Sequence, residues 1–211
     1  LAKKITQTAH LFQSFGIERN DVVSILLPNL IETHLSLWAA QAVGIANPIN
    51  YLLQVDHIVE ILNEVKAKIL VSVSLDEATE LGQKVQEIIE RVPSLEHVFL
   101  LDSSVGDSTH NKVTLIDFNR AIAIQTSEQL TQACQPKGDD IAMYFHTGGT
   151  TGRPKIAKLS HNNISFVVQV YAGFNVYHGK SAVLNALPLF HVFGVIAASL
   201  SMFVVGRTVV I

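Results

Sequence analysis

The stretch VVSILLPNLIETHLSLWAAQAVG, residues 22–44, contains the repeating unit of the predicted fold. It opens with an apolar run that is closed by Pro28, which is typical of a strand buried in a parallel sheet. Apolar residues then recur at spacings of four, three and four, which predicts one face of a helix. These residues are Ile31, Leu35, Trp38 and Ala42. We therefore expect a strand that passes directly into a helix.

The same alternation continues on both sides of this stretch. Upstream, residues 2–15 predict a helix, and Gly16 suits the left-handed residue that follows many helices. Downstream, strands are predicted at residues 68–73, 97–101, 141–146, 183–189 and 208–211. Three apolar faces predict further helices: Val55, Ile58, Val59 and Leu62; Leu81, Val85, Ile88 and Ile89; and Ile164, Val167, Val168 and Tyr171. Repeated strand–helix units predict an α/β fold of mostly parallel sheets flanked by helices.

Three details complete this outline. Ser160 or Asn162 can cap the helix that contains Ile164, and another helix is expected between the last two strands. Residues 102–112 are polar with one glycine and predict a surface loop. Residues 125–140 are also polar and include a proline and a glycine, which favours a link between two subdomains.

Composition excludes several classes of protein. Of the 211 residues, 48% are hydrophobic and 16% are charged, which argues against a disordered chain. The 15 basic and 18 acidic residues give a net charge of −3, so a nucleic-acid partner is not expected. The single cysteine, Cys134, excludes a disulfide scaffold and fits a reducing, cytoplasmic compartment.

We expect no targeting or membrane segment. The first residues, LAKKITQTAHLFQSFG, lack the apolar stretch of a signal peptide. Residues 182–205 are apolar but are interrupted by Asn185, Pro188 and His191, so no transmembrane segment is expected. All 18 acidic residues lie within residues 1–155. The acid-free remainder is expected either to be buried against the rest of the chain or to lead into further chain.

The stretch HTGGTTGRPK, residues 146–155, has the composition of an anion-binding loop. Glycines allow a ligand to approach the backbone closely, and successive N–H groups can form a nest for an anion. Arg153 and Lys155 add positive charge. A flexible polar turn is the plainer interpretation of the same residues. The glycine spacing matches neither the P-loop nor the dinucleotide-binding motif, so a P-loop NTPase and a Rossmann dehydrogenase are disfavoured.

Three stretches together resemble the adenylate-forming superfamily, most closely the N-terminal part of an acyl-CoA synthetase or fatty-acid–CoA ligase. FHTGGTTGRPK (145–155) is similar to the family's first signature, with Gly148 in place of the commoner serine. LPLFHVFG (187–194) is similar to a second signature, and residues 27–50 are similar to the family's N-terminal pattern. The resemblance covers essentially the whole chain and implies a partial N-terminal domain of an adenylate-forming enzyme.

This resemblance implies ATP and CoA as reactants and Mg²⁺ as the metal ion. In such enzymes a carboxylic acid attacks the α-phosphate of ATP, pyrophosphate leaves, and the thiol of CoA then displaces AMP from the acyl-adenylate. The resemblance assigns the pyrophosphate contacts to Thr147, Gly148, Gly149, Thr150, Thr151, Gly152 and Lys155. Thr147 is also expected as a contact of Mg²⁺, and Thr147, Lys155 and His191 are expected as the catalytic residues.

His191 has two interpretations. From the residues alone, a core histidine bonded to a backbone carbonyl is favoured. The resemblance instead places it in the carboxylate and acyl pocket, with Val192, Phe193 and Gly194 along the wall and Val192 among the cofactor-binding residues. A general-base role is not expected, because a carboxylate is already ionised at neutral pH. An imidazole at this position, where amino-acid-activating members carry Asp, favours apolar acids over amino acids.

The resemblance also implies what lies outside these residues. The family's later motifs, including the catalytic lysine of a small C-terminal domain, do not occur here, so the 211 residues are expected to be inactive alone. An aryl-acid or amino-acid adenylating ligase is the alternative within the family. A non-catalytic module that binds a nucleotide or a partner is the alternative outside it. The sequence does not indicate an oligomeric state.

Overall fold

A computed structural model describes residues 1–102, 107–130, 135–147, 154–174 and 182–211. The strands in these residues are β1 (Val22–Leu26), β2 (Ile45–Pro48), β3 (Ala67–Ser72), β4 (His97–Leu100), β5 (Ser108–His110), β6 (Val113–Asp117), β7 (Ile141–Thr147), β8 (Lys155–Ser160), β9 (Ala182–Leu184) and β10 (Thr208–Val210). The helices are α1 (Ala2–Ser14), α2 (Ile31–Val43), α3 (Val55–Val65), α4 (Glu80–Arg91), α5 (Phe118–Ala123), α6 (His161–Phe174), a π-helix (Phe193–Leu200) and α7 (Ser201–Val204).

Within the described residues, one sheet contains eight strands in the order β5-β6-β4-β3-β1-β2-β7-β8. The six central strands pair in parallel, and the edge strands β5 and β8 pair antiparallel to their neighbours. Strands β9 and β10 form a separate parallel pair. The expected α/β architecture of mostly parallel strands flanked by helices is confirmed.

Apolar cores lie on both faces of the large sheet. One contains the inner faces of α1, α2 and α5, and its rings Phe12, Phe99 and Phe118 pack edge to face. The other contains the inner faces of α3 and α4. Because β1 lies between the two cores, all five of its residues are buried. This double burial explains why its sequence is an apolar run instead of an alternating pattern.

Side-chain caps fix the starts of several helices. The hydroxyl of Thr79 accepts a hydrogen bond from the backbone N–H of Gly82 at the start of α4, and the Asp117 carboxylate accepts one from Arg120 at α5. Ser160 and Asn163 bond each other's backbone N–H groups at the start of α6. Ser160 is therefore the cap, as one of the two sequence alternatives predicted. Gly16, with a φ of +75°, has the predicted left-handed conformation.

Several elements differ from the sequence prediction. Strands β2 and β8 and the β6–α5 unit had no predicted counterpart. Part of the predicted loop 102–112 is wrong, because residues 108–110 form the edge strand β5. Its three residues are all exposed and therefore show no apolar alternation. The predicted strand 183–189 ends at Leu184, and side chains bind the peptide groups of Leu187 and Leu189 further along.

Helix α2 is buried over more of its surface than one apolar stripe. Ile31, predicted to face the core, is 62% exposed at the first turn, whereas Leu37, Ala39 and Ala40 are fully buried. The reason is that α2 packs against α1 as well as the sheet. The burial pattern therefore reflects two neighbours instead of one.

The polar segment 125–140 connects α5 to β7. Residues 131–134, and with them Cys134, lie outside the described residues. Strand β7 pairs with β2 in the same sheet as the strands that precede the segment. The division into two subdomains stays a prediction. In the described part of the chain, no helix is long and apolar enough to cross a membrane.

His34 on α2 is an ionisable residue inside the first core. It is 4% exposed, its ring stacks on Trp38 at 6.0 Å, and the edge of Phe203 lies 5.4 Å away. Neither ring nitrogen has a hydrogen-bond partner among the described residues. Burial disfavours the charged imidazolium and lowers the pKa of His34 to about 4.

The pH dependence of stability should report this burial. Because the folded-state pKa of His34 lies below the value of 6.5 for the unfolded chain, its stabilisation is complete above pH 6.5 and is lost as the pH falls towards 4. Between pH 7.5 and pH 5, the free energy of unfolding should fall by about 2 kcal/mol more in the wild type than in His34→Phe. Urea unfolding at the two pH values measures this difference, and equal losses in the two proteins would contradict the assignment.

Candidate functional site

The glycine-rich stretch connects the two strands of a hairpin. Strands β7 and β8 pair antiparallel with Thr147 opposite Lys155. The Thr147 hydroxyl donates a long hydrogen bond of 3.4 Å to the Lys155 backbone carbonyl. Residues 148–153 lie outside the described residues, so the phosphate contacts expected of Gly148, Gly149, Thr150, Thr151 and Gly152 stay predictions. The structure therefore defines where the two ends of this stretch meet.

Both ends lie at the carboxyl edge of the parallel strands. Strand β7 runs parallel to β2, which runs parallel to β1, so the residues after all three strands emerge on one side. Ligands of open α/β sheets bind at this edge. Thr147 and Lys155 are both exposed here, which leaves the hydroxyl and the ammonium group accessible to a ligand.

His146, the residue before Thr147, lies near His191 of the second signature, residues 187–194. Its ring is half-buried, and its Nδ1 has no hydrogen-bond partner in the described part of the chain. Burial lowers the pKa of His146, the nearby charge of His191 lowers it further, and the Pro48 carbonyl raises it. The ring is therefore close to both the end of β2 and His191. The sequence analysis gave His146 no role.

His191 lies on the surface of the site. Its side chain is exposed, which does not fit the core-histidine interpretation. Its backbone N–H donates to the Pro188 carbonyl at 3.1 Å, and its Nδ1 accepts a hydrogen bond from the backbone N–H of Phe193 at 3.3 Å. Because Nδ1 accepts a hydrogen bond, Nε2 carries the ring proton and can donate a hydrogen bond to an oxygen ligand.

The turn that contains His191 depends on a close contact between Gly194 and the backbone of Pro188. Gly194 is buried, and a Cβ atom added there would clash with the carbonyl oxygen of Pro188. Leu189, between them, is 1% exposed and anchors the turn in the first core. The glycine is thus required for packing, and its own backbone conformation is not left-handed.

Val192 and Phe193 line an apolar cleft of about 240 Å³. The other walls come from β8, α6 and the π-helix, and include Leu159, Val167 and Ile196. The ring of Tyr171 meets that of Phe193 edge to face at 6.2 Å. Tyr171, predicted as part of a buried helix face, is 40% exposed because it borders this cleft. The cleft lies directly beside His191 along the chain.

The structure thus places the predicted residues in two groups. Thr147 and Lys155 face each other at the hairpin ends, and His191 directly precedes Val192 and Phe193, which line the apolar cleft. His146 directly precedes Thr147, and the charge of His191 is near enough to lower its pKa. Among the described residues, no cluster of three or more histidine, cysteine or acidic side chains could hold a metal ion. The expected Mg²⁺ contact at Thr147 stays a prediction.

Comparison with known proteins gives a consistent answer. Residues 1–211 match the family described as AMP-binding enzyme. The chain is 38% identical over 200 residues to a marinolic acid–CoA ligase of Pseudoalteromonas sp. (strain SANK 73390), covering 92% of this chain and 29% of that protein. It is 28% identical over 208 residues to a long-chain-fatty-acid–CoA ligase of Bacillus subtilis (strain 168), covering 90% and 36%. The chain therefore spans about a third of the length of these relatives.

Two solved structures share the fold. The anthranilate CoA ligase AuaEII in complex with anthranoyl-AMP superposes with a TM-score of 0.83 and 22% identity, covering 100% of this chain and 39% of that one. ATP-bound MatB from Rhodopseudomonas palustris gives a TM-score of 0.79 and 22% identity with the same two coverages. At this identity the similarity concerns the fold alone.

Gly194→Ala should disturb the turn at His191. Because the new methyl group meets a backbone carbonyl that cannot swing aside, we expect a loss of stability of about 1–3 kcal/mol. Gly173→Ala on α6 is the matched control, since nothing lies within 4 Å of its added Cβ. That change should be neutral or stabilising by up to about 1 kcal/mol. Urea unfolding measures both, and equal stability of the two variants would contradict the close approach.

Proposed function

The chain belongs to the AMP-binding enzyme family, and from this premise we propose that the full-length protein is an AMP-forming acyl-CoA synthetase. It activates an apolar carboxylic acid with ATP to an acyl-adenylate and then transfers the acyl group to CoA. The observation that supports this proposal is that both motifs lie at the carboxyl edge of the sheet, since Thr147 ends β7 and Asn29, which follows β1, binds the turn that leads to His191. That arrangement brings a phosphate-binding end and an acid-binding end to one edge of the sheet.

The phosphate end consists of Thr147, Lys155 and the residues between them. Lys155 supplies a compact positive charge, which suits phosphate. Among the described residues the Thr147 hydroxyl makes one hydrogen bond, which is long at 3.4 Å, so its oxygen is available to a phosphate or to Mg²⁺. Bound Mg²⁺ would neutralise charge on the pyrophosphate that leaves. Catalysis at this end rests on positioning and charge stabilisation.

The acid end consists of His191 and the apolar cleft that follows it. Nε2–H of His191 is free to donate to a carboxylate oxygen, while Val192, Phe193 and Tyr171 offer apolar surface to the rest of the acid. An imidazole does not bind an ammonium group well, which favours fatty or other apolar acids over amino acids. The relatives named for marinolic acid and for long-chain fatty acids support this choice.

Two further expectations belong to the same proposal. The 211 residues alone are expected to form no acyl-adenylate, because they span 29% and 36% of the two curated relatives. We also infer a cytoplasmic location, where ATP and CoA are available and the single cysteine stays reduced.

A panel of carboxylic acids tests the proposed reaction. Pyrophosphate release by the full-length protein with ATP should depend on an apolar acid, and AMP should accumulate when CoA is added. A long-chain fatty acid, a benzoate and an amino acid distinguish the substrate classes. Activity confined to the benzoate would select the aryl-acid alternative, and activity confined to the amino acid would refute the interpretation of His191. No release with any acid would favour a non-catalytic module.

Lys155→Met should weaken the use of ATP. Hydrogen bonds to charged groups contribute about 1.5–3 kcal/mol, so the KM for ATP should rise roughly 10- to 100-fold. Lys158→Met is the matched control, because Lys158 lies on the same strand, is also exposed and has its ammonium group 5.7 Å from the centre of the Tyr144 ring. Steady-state kinetics with varied ATP measure both variants. An identical KM for ATP in Lys155→Met and wild type would show that the hairpin end is only structural.

A further inference from the structure

Asn29 joins two parts of the chain that are far apart in sequence. Its Nδ2 donates to the Leu187 carbonyl at 2.9 Å, and its Oδ1 accepts from the Leu189 N–H at 2.9 Å. The partners lie 158 and 160 residues further along. One side chain thus binds two peptide groups of the turn that leads to His191.

The turn is also held from its other side. The N–H of Leu187 donates to Oδ1 of Asn185 at 3.1 Å. Asn185 is 1% exposed, and its Nδ2 donates to the Gly194 carbonyl at 2.9 Å and to the Ser199 hydroxyl at 2.8 Å. The π-helix and the turn therefore share one buried anchor. Asn29 supplies the second anchor, which comes from the other side of the site.

Asn29 is itself held in place before it meets the turn. It lies between β1 and α2, where the Thr33 hydroxyl donates to the Pro28 carbonyl at 2.6 Å and accepts from the Leu30 N–H at 3.3 Å. These bonds fix the backbone on both sides of Asn29. Strand β1 is buried in the centre of the sheet. Asn29, which follows it, therefore fixes the position of the turn relative to the sheet.

The held peptide groups determine where His191 lies. The N–H of His191 donates to the carbonyl of Pro188, the residue between the two that Asn29 binds. Phe190, next to His191, also packs its ring edge to face with Tyr51 at 5.8 Å. A shift of residues 187–189 would therefore move His191 and the Val192–Phe193 wall together.

We propose that Asn29 is a positioning residue for the acid subsite, which it orients by holding residues 187–189 against the end of β1. The effect on the acid rests on the proposed function, whereas the hydrogen bonds themselves do not. Neither Thr147 nor Lys155 bonds to the turn in the described residues. Loss of Asn29 should therefore weaken the use of the acid more than the use of ATP.

Amide hydrogen exchange tests the contact without relying on activity. In the full-length protein, Asn29→Ala should raise the exchange rate of a peptide covering residues 187–191 about tenfold, because the Leu189 N–H loses its acceptor. Asn63→Ala is the matched control, since Asn63 makes a comparable side-chain bond to the Arg91 carbonyl at 3.3 Å between α3 and α4. It should leave the exchange of residues 187–191 unchanged. If residues 187–191 of Asn29→Ala exchanged at the same rate as in the wild type, the proposal would be overturned.

Steady-state kinetics test the positioning role. Asn29→Ala should raise the KM for the acid about tenfold and the KM for ATP by a clearly smaller factor. Asn63→Ala should change neither. An unchanged KM for the acid, or equal increases in both KM values, would overturn the proposal. If the wild type used no acid, the proposed function would fail, and the exchange measurement alone would then decide whether Asn29 holds the turn.

Discussion

Burial of β1 on both faces is the constraint on which the rest of the molecule depends. Its five residues lie between two apolar cores. The polar Ser24 is accommodated because its hydroxyl accepts a hydrogen bond from the Asn47 amide on β2 at 2.9 Å. Parallel neighbours on both sides require crossover connections, so the chain returns over the faces of the sheet. Polar residues then collect where the strands end, which is where Asn29, His146 and Thr147 lie.

The parts that the sequence predicted are those with a local signal. Helices α3 and α4 have regular apolar spacings, and β1 has an apolar run that ends at a proline. Strands β2 and β8 are short or lie at an edge, and the exposed β5 shows no alternation at all. The resemblance brought Thr147, Lys155 and His191 into one site, but no spacing in the sequence indicates that His146 lies near His191. Contacts across 158 residues, such as that of Asn29 with Leu187, likewise leave no local pattern.

The segment after β9 shows why an irregular turn can be stable beside the proposed acid subsite. A buried peptide group without a partner costs about 1–3 kcal/mol. In the described residues, the last backbone bond to β10 runs from the Asn185 N–H to the Val210 carbonyl at 2.8 Å, and peptide groups within residues 187–189 bond to side chains instead. Two asparagine side chains replace the missing strand. An amide can donate and accept at once, so Asn29 and Asn185 satisfy peptide N–H and carbonyl groups alike. The close contact of Gly194 with Pro188 then lets the π-helix start directly after the turn.

The charges of the site fit a reaction that brings two anions together. Two unit negative charges 4 Å apart repel by about 1 kcal/mol even in water, and by more where water is excluded. Residues 156–211 contain no acidic side chain, so this part of the chain adds no further repulsion. On the proposed function, Lys155 would offset phosphate charge and Nε2–H of His191 would donate a hydrogen bond to the carboxylate. Burial lowers the pKa of His146 and so favours its neutral form. Since the attacking carboxylate is already ionised, no proton has to be removed from it. On the proposed function, these histidines therefore act by orienting the acid and by hydrogen bonding to it. The position of the turn that holds His191 then affects the rate of the reaction.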